Sequence, residues 1–178
     1  MVDILKQEES APASYPAVTG LSDAALALDP DAIWQRIESY IAHRFAAREV
    51  VWTIEGVEDD ALRFPLTPVA SMTAEKWEAG AWVSVTLSEG PMGYVLPSDG
   101  SFRIAAQVGA GPVPAAVTAA FQRLAEYSAD TEERAGATDY SVNLGGAIQE
   151  NFSRYPSWLA RAMQYSGAAD LLRPYRRA

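Results

Sequence analysis

No cysteine occurs in these 178 residues, and only one histidine, His43. The first absence excludes disulfides, thiolate metal sites and cysteine nucleophiles. The second leaves a zinc site only carboxylates to add to a single imidazole. A serine or threonine nucleophile needs a base, yet the chain has no Gly-x-Ser-x-Gly and no second histidine. Its glycine runs, Gly109-Ala110-Gly111 and Gly145-Gly146, are not followed by the lysine and hydroxyl residue of a phosphate loop. No apolar run approaches the roughly 20 residues that span a bilayer. The first twenty residues have no basic region followed by an apolar stretch, so no secretory signal is expected; the lack of cysteine fits the cytosol. There is no internal repeat and no low-complexity tract. No catalytic group, cofactor or metal site is therefore expected, and His43 reads as an ordinary residue near a helix end.

What the chain does have is enough apolar material for one folded domain. Hydrophobic residues are 49% and charged residues 21%, close to the globular average, and the length suffices for a core. Charge is uneven. The net charge is −9, but residues 1–153 carry −13 and residues 154–178 carry +4, from five arginines and one aspartate. An acidic body repels nucleic acid at long range and lacks the phosphate-neutralising surface of a DNA binder. The basic ending, SGAADLLRPYRRA, has two readings: its arginines favour the dipole at a helix C-terminus, or they meet an acidic partner.

Along the chain, residues 1–28 read as an extended N-terminal arm rich in Ser, Ala, Pro and Gly, either disordered or lying along a neighbouring subunit, with a short helical turn at 21–28. Asp29 as N-cap and Pro30 at the first helical position open a helix over about 30–46. Its apolar face holds Ile33, Ile37, Tyr40, Ile41 and Phe45, and its polar face Gln35, Arg36, Glu38 and Arg48. VVWTIEG then switches to strand composition, and EGVEDD makes an acidic turn. Glu58, Asp59 and Asp60 lack the spacing of a calcium loop, so a solvated turn is expected. Leu62, Phe64 and Leu66 alternate, but Pro65 and Pro68 place that stretch at an edge. Further strands are expected at 69–77, after a hairpin turn at Gly80, at 94–96 and at 101–109. The β region thus spans about 50–108.

Residues 115–129 form the next helix, with Val117, Phe121, Leu124 and Ser128 on one face and Ala120 and Tyr127 beside them. ADTEERAGATD is a charged connector. YSVNLGGAIQENFSRYP is expected to loop, with a short helix near 148–152. Ser157 caps a short helix over 156–166 that stops at Gly167, and Pro174 breaks the last turn. The fold class is α+β: a small bundle of three to four helices, with an antiparallel β region inserted between its first two long helices and extended arms at both ends. The folded body spans 29–166 and the tail 167–178. Trp34, Trp52 and Trp158 belong in the core. Trp77 and Trp82 flank the hairpin, where they either pair across it or lie exposed at an interface.

This order of segments resembles the head–tail connector (adaptor) family of tailed phages. IAHRF ends a helix and VVWTIEG follows as an aromatic strand. Leu66-Thr67-Pro68-Val69-Ala70-Ser71-Met72 fills the place of that family's Leu-Pro-x-x-Pro-Val segment. Gly109-Ala110-Gly111-Pro112-Val113-Pro114 fills the Gly-x-Gly-x-Val-Pro that opens its long helix. The ending is similar to those of gene transfer agents and related siphophages, and the likeness covers about residues 30–178. The resemblance implies a structural virion protein of the neck, assembled in the host cytoplasm, with no cofactor, no enzymatic activity and no membrane partner. It implies a ring, usually of twelve copies, beneath the portal protein. That ring extends the DNA channel, passes DNA without reading its sequence and docks a stopper or other tail-side protein. In that setting the tail is the portal-binding element: Leu171, Leu172 and Tyr175 as anchors, and Arg173, Arg176 and Arg177 as partners of portal acids. Trp77 and Trp82 are candidates for a subunit or tail interface. The alternatives are another neck or tail-completion protein, such as a stopper or terminator, and a small acidic ligand-binding module.

Overall fold

A computed structural model describes residues 1–132, 139–144, 148–153 and 161–176. The chain divides into two compact units, one formed by 1–16 with 42–112 and the other by 17–41 with 113–178.

The first unit is built on a five-stranded antiparallel sheet. Its strands are β1 (Asp3–Glu9), β2 (Arg48–Gly56), β4 (Val69–Glu78), β5 (Ala81–Val85) and β8 (Gly100–Val108), in spatial order β1-β2-β8-β4-β5. Three short strands, β3 (Ala61–Leu62), β6 (Ser88–Gly90) and β7 (Gly93–Val95), make a second sheet in the order β3-β7-β6. β2 and β8 pair over their full length, from Arg48 opposite Val108 to Gly56 opposite Gly100. Alternation explains which face is buried. Val50, Trp52 and Ile54 of β2 and Phe102, Ile104, Ala106 and Val108 of β8 all point into one core, which Leu62, Leu66, Leu87 and Leu96 complete. Pro65 and Pro68 lie between β3 and β4, outside any strand.

Sequence and structure differ first at the N-terminus. Residues 3–9, read as part of an extended arm, are an edge strand antiparallel to β2, with a register shift between Ile4 and Lys6. All seven are exposed, so the strand has no apolar alternation to announce it. Its ladder comes from the backbone.

The second unit is helical. α1 (Asp23–Leu26) starts at Ser22, whose hydroxyl accepts from Ala25 N at 3.2 Å. α2 (Pro30–Ile41) starts where Asp29 Oδ1 accepts from Asp31 N at 3.0 Å, the N-cap geometry its sequence promises. α2 stops at Ile41, five residues before the expected end. Ala42 turns to a positive φ of 55°, and Arg44 N donates to Thr67 O at 2.7 Å. A backbone partner remote in sequence thus takes over from the helical ladder. Glu38, expected on the polar face, is buried at 1% exposure, and Arg48 lies in β2.

α3 (Ala115–Glu132) follows Pro114 and buries Val117, Ala120, Phe121, Leu124 and Ala125. Phe121 meets Trp34 of α2 with ring centroids 5.1 Å apart. Ser22 ties α1 to α3: its backbone N–H and hydroxyl donate to the two carboxylate oxygens of Glu126, each at 2.7 Å. Strands β9 (Asp139–Leu144) and β10 (Ile148–Ser153) form an antiparallel hairpin with Tyr140 opposite Phe152. The expected helix at 148–152 is therefore a strand. DYSVNL alternates polar and apolar residues, the period-two pattern of a strand, whereas IQENFS does not and becomes a strand by pairing with it.

Within 156–166, the described helix is α4 (Ala162–Tyr165); Ser157 and Trp158 lie outside the described residues. α5 (Ala168–Leu172) then leads into a 3-10 turn over Arg173–Tyr175. The architecture is α+β, with mixed helices and antiparallel sheet.

Candidate interaction surfaces

The C-terminal tail is held from inside. Gly167 takes a left-handed φ of 73°, which only glycine adopts at little cost, and redirects the chain from α4 into α5. α5 packs on α3 and α4. Ala168 and Leu172 are fully buried. Leu172 is therefore corrected from a surface anchor to a core residue. The helical period explains the split: Ala168 and Leu172 stand four apart on the inner face, leaving Leu171 half-buried.

Beyond Leu172 the side chains turn outward. Arg173 and Arg176 are exposed, and Tyr175 is half-buried. Arg176 does not hang free, because its guanidinium lies over the Tyr40 ring of α2, 5.1 Å from the centroid. Arg177 lies outside the described residues. Next to this stack is a groove of about 590 Å³ lined by Arg36, Ser39, Tyr40, Arg161, Met163 and Gln164. Sequence reading placed Arg36 and Tyr40 on one helix and Arg161 in another, with nothing to bring them together.

The hairpin tip of the sheet unit carries the tryptophan pair. Trp77 stands directly opposite Trp82, with centroids 5.1 Å apart and planes at 63°. The rings meet edge-on across the ladder, and Trp77 is 48% exposed. Arg103 of β8 lies over Trp82 at 4.9 Å and donates to Glu75 at 2.7 and 2.5 Å.

Two ionic ties fix the N-terminal segment, and sequence reading found neither. Glu9 accepts from Arg44 Nε at 2.6 Å, from Arg44 Nη2 at 2.9 Å and from Arg48 Nη1 at 2.9 Å. Burial acts to raise the Glu9 carboxyl, but the two guanidiniums outweigh it and hold it below the usual carboxylate range. Arg48 also lies over the Tyr15 ring at 5.3 Å. At the other end of β1, the Met1 ammonium donates to both oxygens of Asp60, at 2.7 and 2.8 Å. That hydrogen bond, helped by the Val57 N–H, lowers the Asp60 carboxyl. The acidic turn is thus a docking point for the chain's own ammonium. The partners are separated by 35 to 59 residues, so no local pattern could have revealed them.

Among the described residues there is no group of three or more His, Cys, Asp or Glu side chains placed to hold a metal ion, and no helix long and apolar enough to cross a membrane. His43 lies past the end of α2, bridged to Thr67 in parallel sense, with its ring 4.5 Å from Phe45.

No protein-family profile matches the chain, and no curated protein matches it. Its fold is similar to that of a chain in the virion of a native gene transfer agent particle. The TM-score is 0.54 and the identity 22%, over 90% of this chain and 80% of that one. Looser likenesses are to a chain in the neck of the native particle with C12 symmetry and to one in the neck of the empty particle with C6 symmetry. The first has a TM-score of 0.48 and 18% identity, over 89% of this chain and 84% of that one. The second has a TM-score of 0.46 and 20% identity, over 83% of this chain and 79% of that one.

Proposed function

We propose that the chain is a structural subunit of the neck of a phage-like particle: a head–tail connector whose copies form a ring beneath the portal, extend the DNA channel and dock the tail. The observation that carries this reading is the fold likeness, over 90% of the chain, to a component of a gene transfer agent virion. The order of segments from IAHRF to the tail agrees with it. The net charge of −9 suits a channel wall that must not grip passing DNA.

The portal-facing surface in this reading is the outward part of the tail: Arg173, Tyr175, Arg176 and Arg177, with Leu171 beside them. Leu172 serves this surface from beneath, by fixing α5. The exposed Trp77 and its partner Trp82 form a second contact, toward a neighbouring copy or the tail side.

The test is capture of the chain on immobilised portal protein, comparing wild type with an Arg173→Glu, Arg176→Glu and Arg177→Glu triple variant. Wild type is expected to bind, and the variant to lose binding while keeping its circular dichroism and melting temperature. Equal capture of both places the portal contact elsewhere. Failure of both, with capture by a tail-side neck protein instead, makes the chain a stopper or terminator.

A further inference from the structure

The two edges of the five-stranded sheet are unlike. β1 carries Asp3, Lys6, Glu8 and Glu9, with Lys6 and Glu8 paired at 2.8 Å, and a register shift breaks its ladder. Charges and irregularities of this kind keep an edge from pairing with another chain. β5, Ala81-Trp82-Val83-Ser84-Val85, has no charge and no proline, and its ladder with β4 runs without a break. Ala79 and Gly80, between β4 and β5, have φ of 49° and 87°, the two left-handed residues of a tight hairpin turn. Glu78 and Ala81 flank that turn and exchange both backbone hydrogen bonds. The alternation of an antiparallel ladder then turns the backbone groups of Ala81, Val83 and Val85 toward β4, and those of Trp82 and Ser84 away from it. The N–H and C=O of Trp82 and Ser84 therefore line the open edge, where Val83 is 44% exposed.

We infer that β5 pairs with the β5 of a second copy of this chain, antiparallel about a two-fold axis at Val83. In that register Trp82 of each copy stands opposite Ser84 of the other, and Val83 stands opposite Val83. Every free N–H and C=O of Trp82 and Ser84 then finds a partner. Centring the pair on Trp82 or on Ser84 leaves the other of the two unmatched. A second copy fits because β5 meets itself without a clash of like charges. The nearest charges stand one strand back on β4, where Lys76 pairs with Glu78 at 3.2 Å and Glu75 pairs with Arg103 of β8. From β4 of one copy to β4 of the other is three strand spacings, roughly 14 Å, beyond the screening length of about 8 Å in physiological salt. Apolar contacts add to the ladder: Val83 meets its mate and Val85 meets Ala81 on one face, and Trp82 lies on the other. The interface is narrow. A 5-residue strand covers less than the roughly 800 Å² per partner of a standard interface, so the pair is weak and depends on concentration. It does not rest on the connector reading, because neighbours in a closed ring meet through different faces, whereas here β5 meets itself.

The measurement is sedimentation velocity of the full chain from low to high micromolar concentration, where a reversible monomer–dimer equilibrium is expected. Val83→Lys sets an ammonium of each copy directly opposite that of the other and is expected to raise the dimer Kd about tenfold. Ser84→Pro removes an N–H that points away from β4, so it spares the β4–β5 ladder and is expected to weaken the dimer as well. Mixing Val83→Lys with Val83→Glu at low salt is expected to restore the dimer, because only a two-fold axis at Val83 sets this residue against its own mate. Leu5→Lys, on the other edge, is expected to leave the dimer unchanged. A chain that stays monomeric throughout overturns the inference. So does a dimer indifferent to Val83→Lys and Ser84→Pro in variants that keep their circular dichroism, or a mixture that restores nothing. Loss of the dimer in Leu5→Lys also overturns it and puts the contact at β1. Portal capture separates this claim from the function proposed above. A chain that dimerises through β5 but captures no portal leaves the pair standing without the connector reading. A chain that captures the portal and never dimerises does the reverse.

Discussion

Glu9 and Arg44 are joined by two hydrogen bonds of 2.6 and 2.9 Å between an edge strand and the loop that follows α2. The Arg44 side chain is 9% exposed and that of Glu9 22%, so a nearly buried guanidinium meets a carboxylate that keeps part of its surface in water, and Arg48 shares the same carboxylate. Removing the carboxylate would take three charge-assisted hydrogen bonds from two nearly buried guanidiniums. Glu9→Gln is therefore expected to cost about 1.5 kcal/mol of stability, read by denaturant unfolding.

The same contact carries a pH dependence of known sign. The folded Glu9 carboxyl titrates below its ordinary value, so the unfolded chain takes up the proton first as pH falls. The contribution is complete above the unfolded value of about 4.3 and is lost as pH drops through the folded one. Wild type should thus be more stable than Glu9→Gln at pH 7, with the gap narrowing below about pH 4. A gap that stays constant down to pH 3 would mean the arginines hold β1 by packing and not by charge.

Trp77 and Trp82 are expected to couple. A double-mutant cycle through Trp77→Ala, Trp82→Ala and the double variant should return about 0.5–1.5 kcal/mol of interaction. Trp77→Ala alone should cost about 1 kcal/mol, since its ring stays half-exposed. A zero coupling energy would leave the pair no folding role and shift its purpose to a partner.

Where sequence reading succeeded, one local pattern was enough. The alternation in VVWTIEG and SFRIAAQVG marked β2 and β8 and predicted the buried Trp52, because a strand's faces are set by period two alone. Asp29-Pro30 marked the start of α2. It failed where the deciding partner is remote or is backbone. β1 has no buried face, and its bonds go to β2. The end of α2 is set by Thr67, and Glu38 and Arg48 are buried against expectation. For the surface, the tryptophan hairpin was legible because its residues are neighbours in the chain. The groove of Arg36 and Arg161 was not, since only the packing of α2 and α4 brings them together. Leu172 was misplaced for a related reason: a basic, proline-broken ending looks like a free tail until the inward spacing of Ala168 and Leu172 meets a surface to pack on.

Gly109 follows β8 with a φ of 97°, and a Cβ there would collide with the Ala46 carbonyl oxygen. Both the backbone region and the space exclude a side chain. Gly109→Ala is expected to lower stability by more than about 1 kcal/mol. Gly80→Ala, at a hairpin turn with open space around it, should cost less, because only the positive φ is penalised. Melting temperatures of the two variants test the order.

Leu171 and Leu172 are adjacent, but the fold gives them different work. Leu172 is fully buried on the inner face of α5, which packs on α3, so Leu172→Ala removes buried methyl groups and leaves a cavity. A loss of about 2–5 kcal/mol is expected. Leu171, half-buried, should cost well under that on the same change. A chain ended at Ser166 deletes all of α5 and exposes the α3 surface beneath it, so it is expected to lose stability along with any portal binding, and its binding defect alone says nothing about the tail's surface. Charge reversal at Arg173 and Arg176, which leaves Leu172 in place, separates the two roles. Stability that survives truncation at Ser166 would show that α5 is dispensable to the helical unit and restore Leu172 to the list of surface anchors.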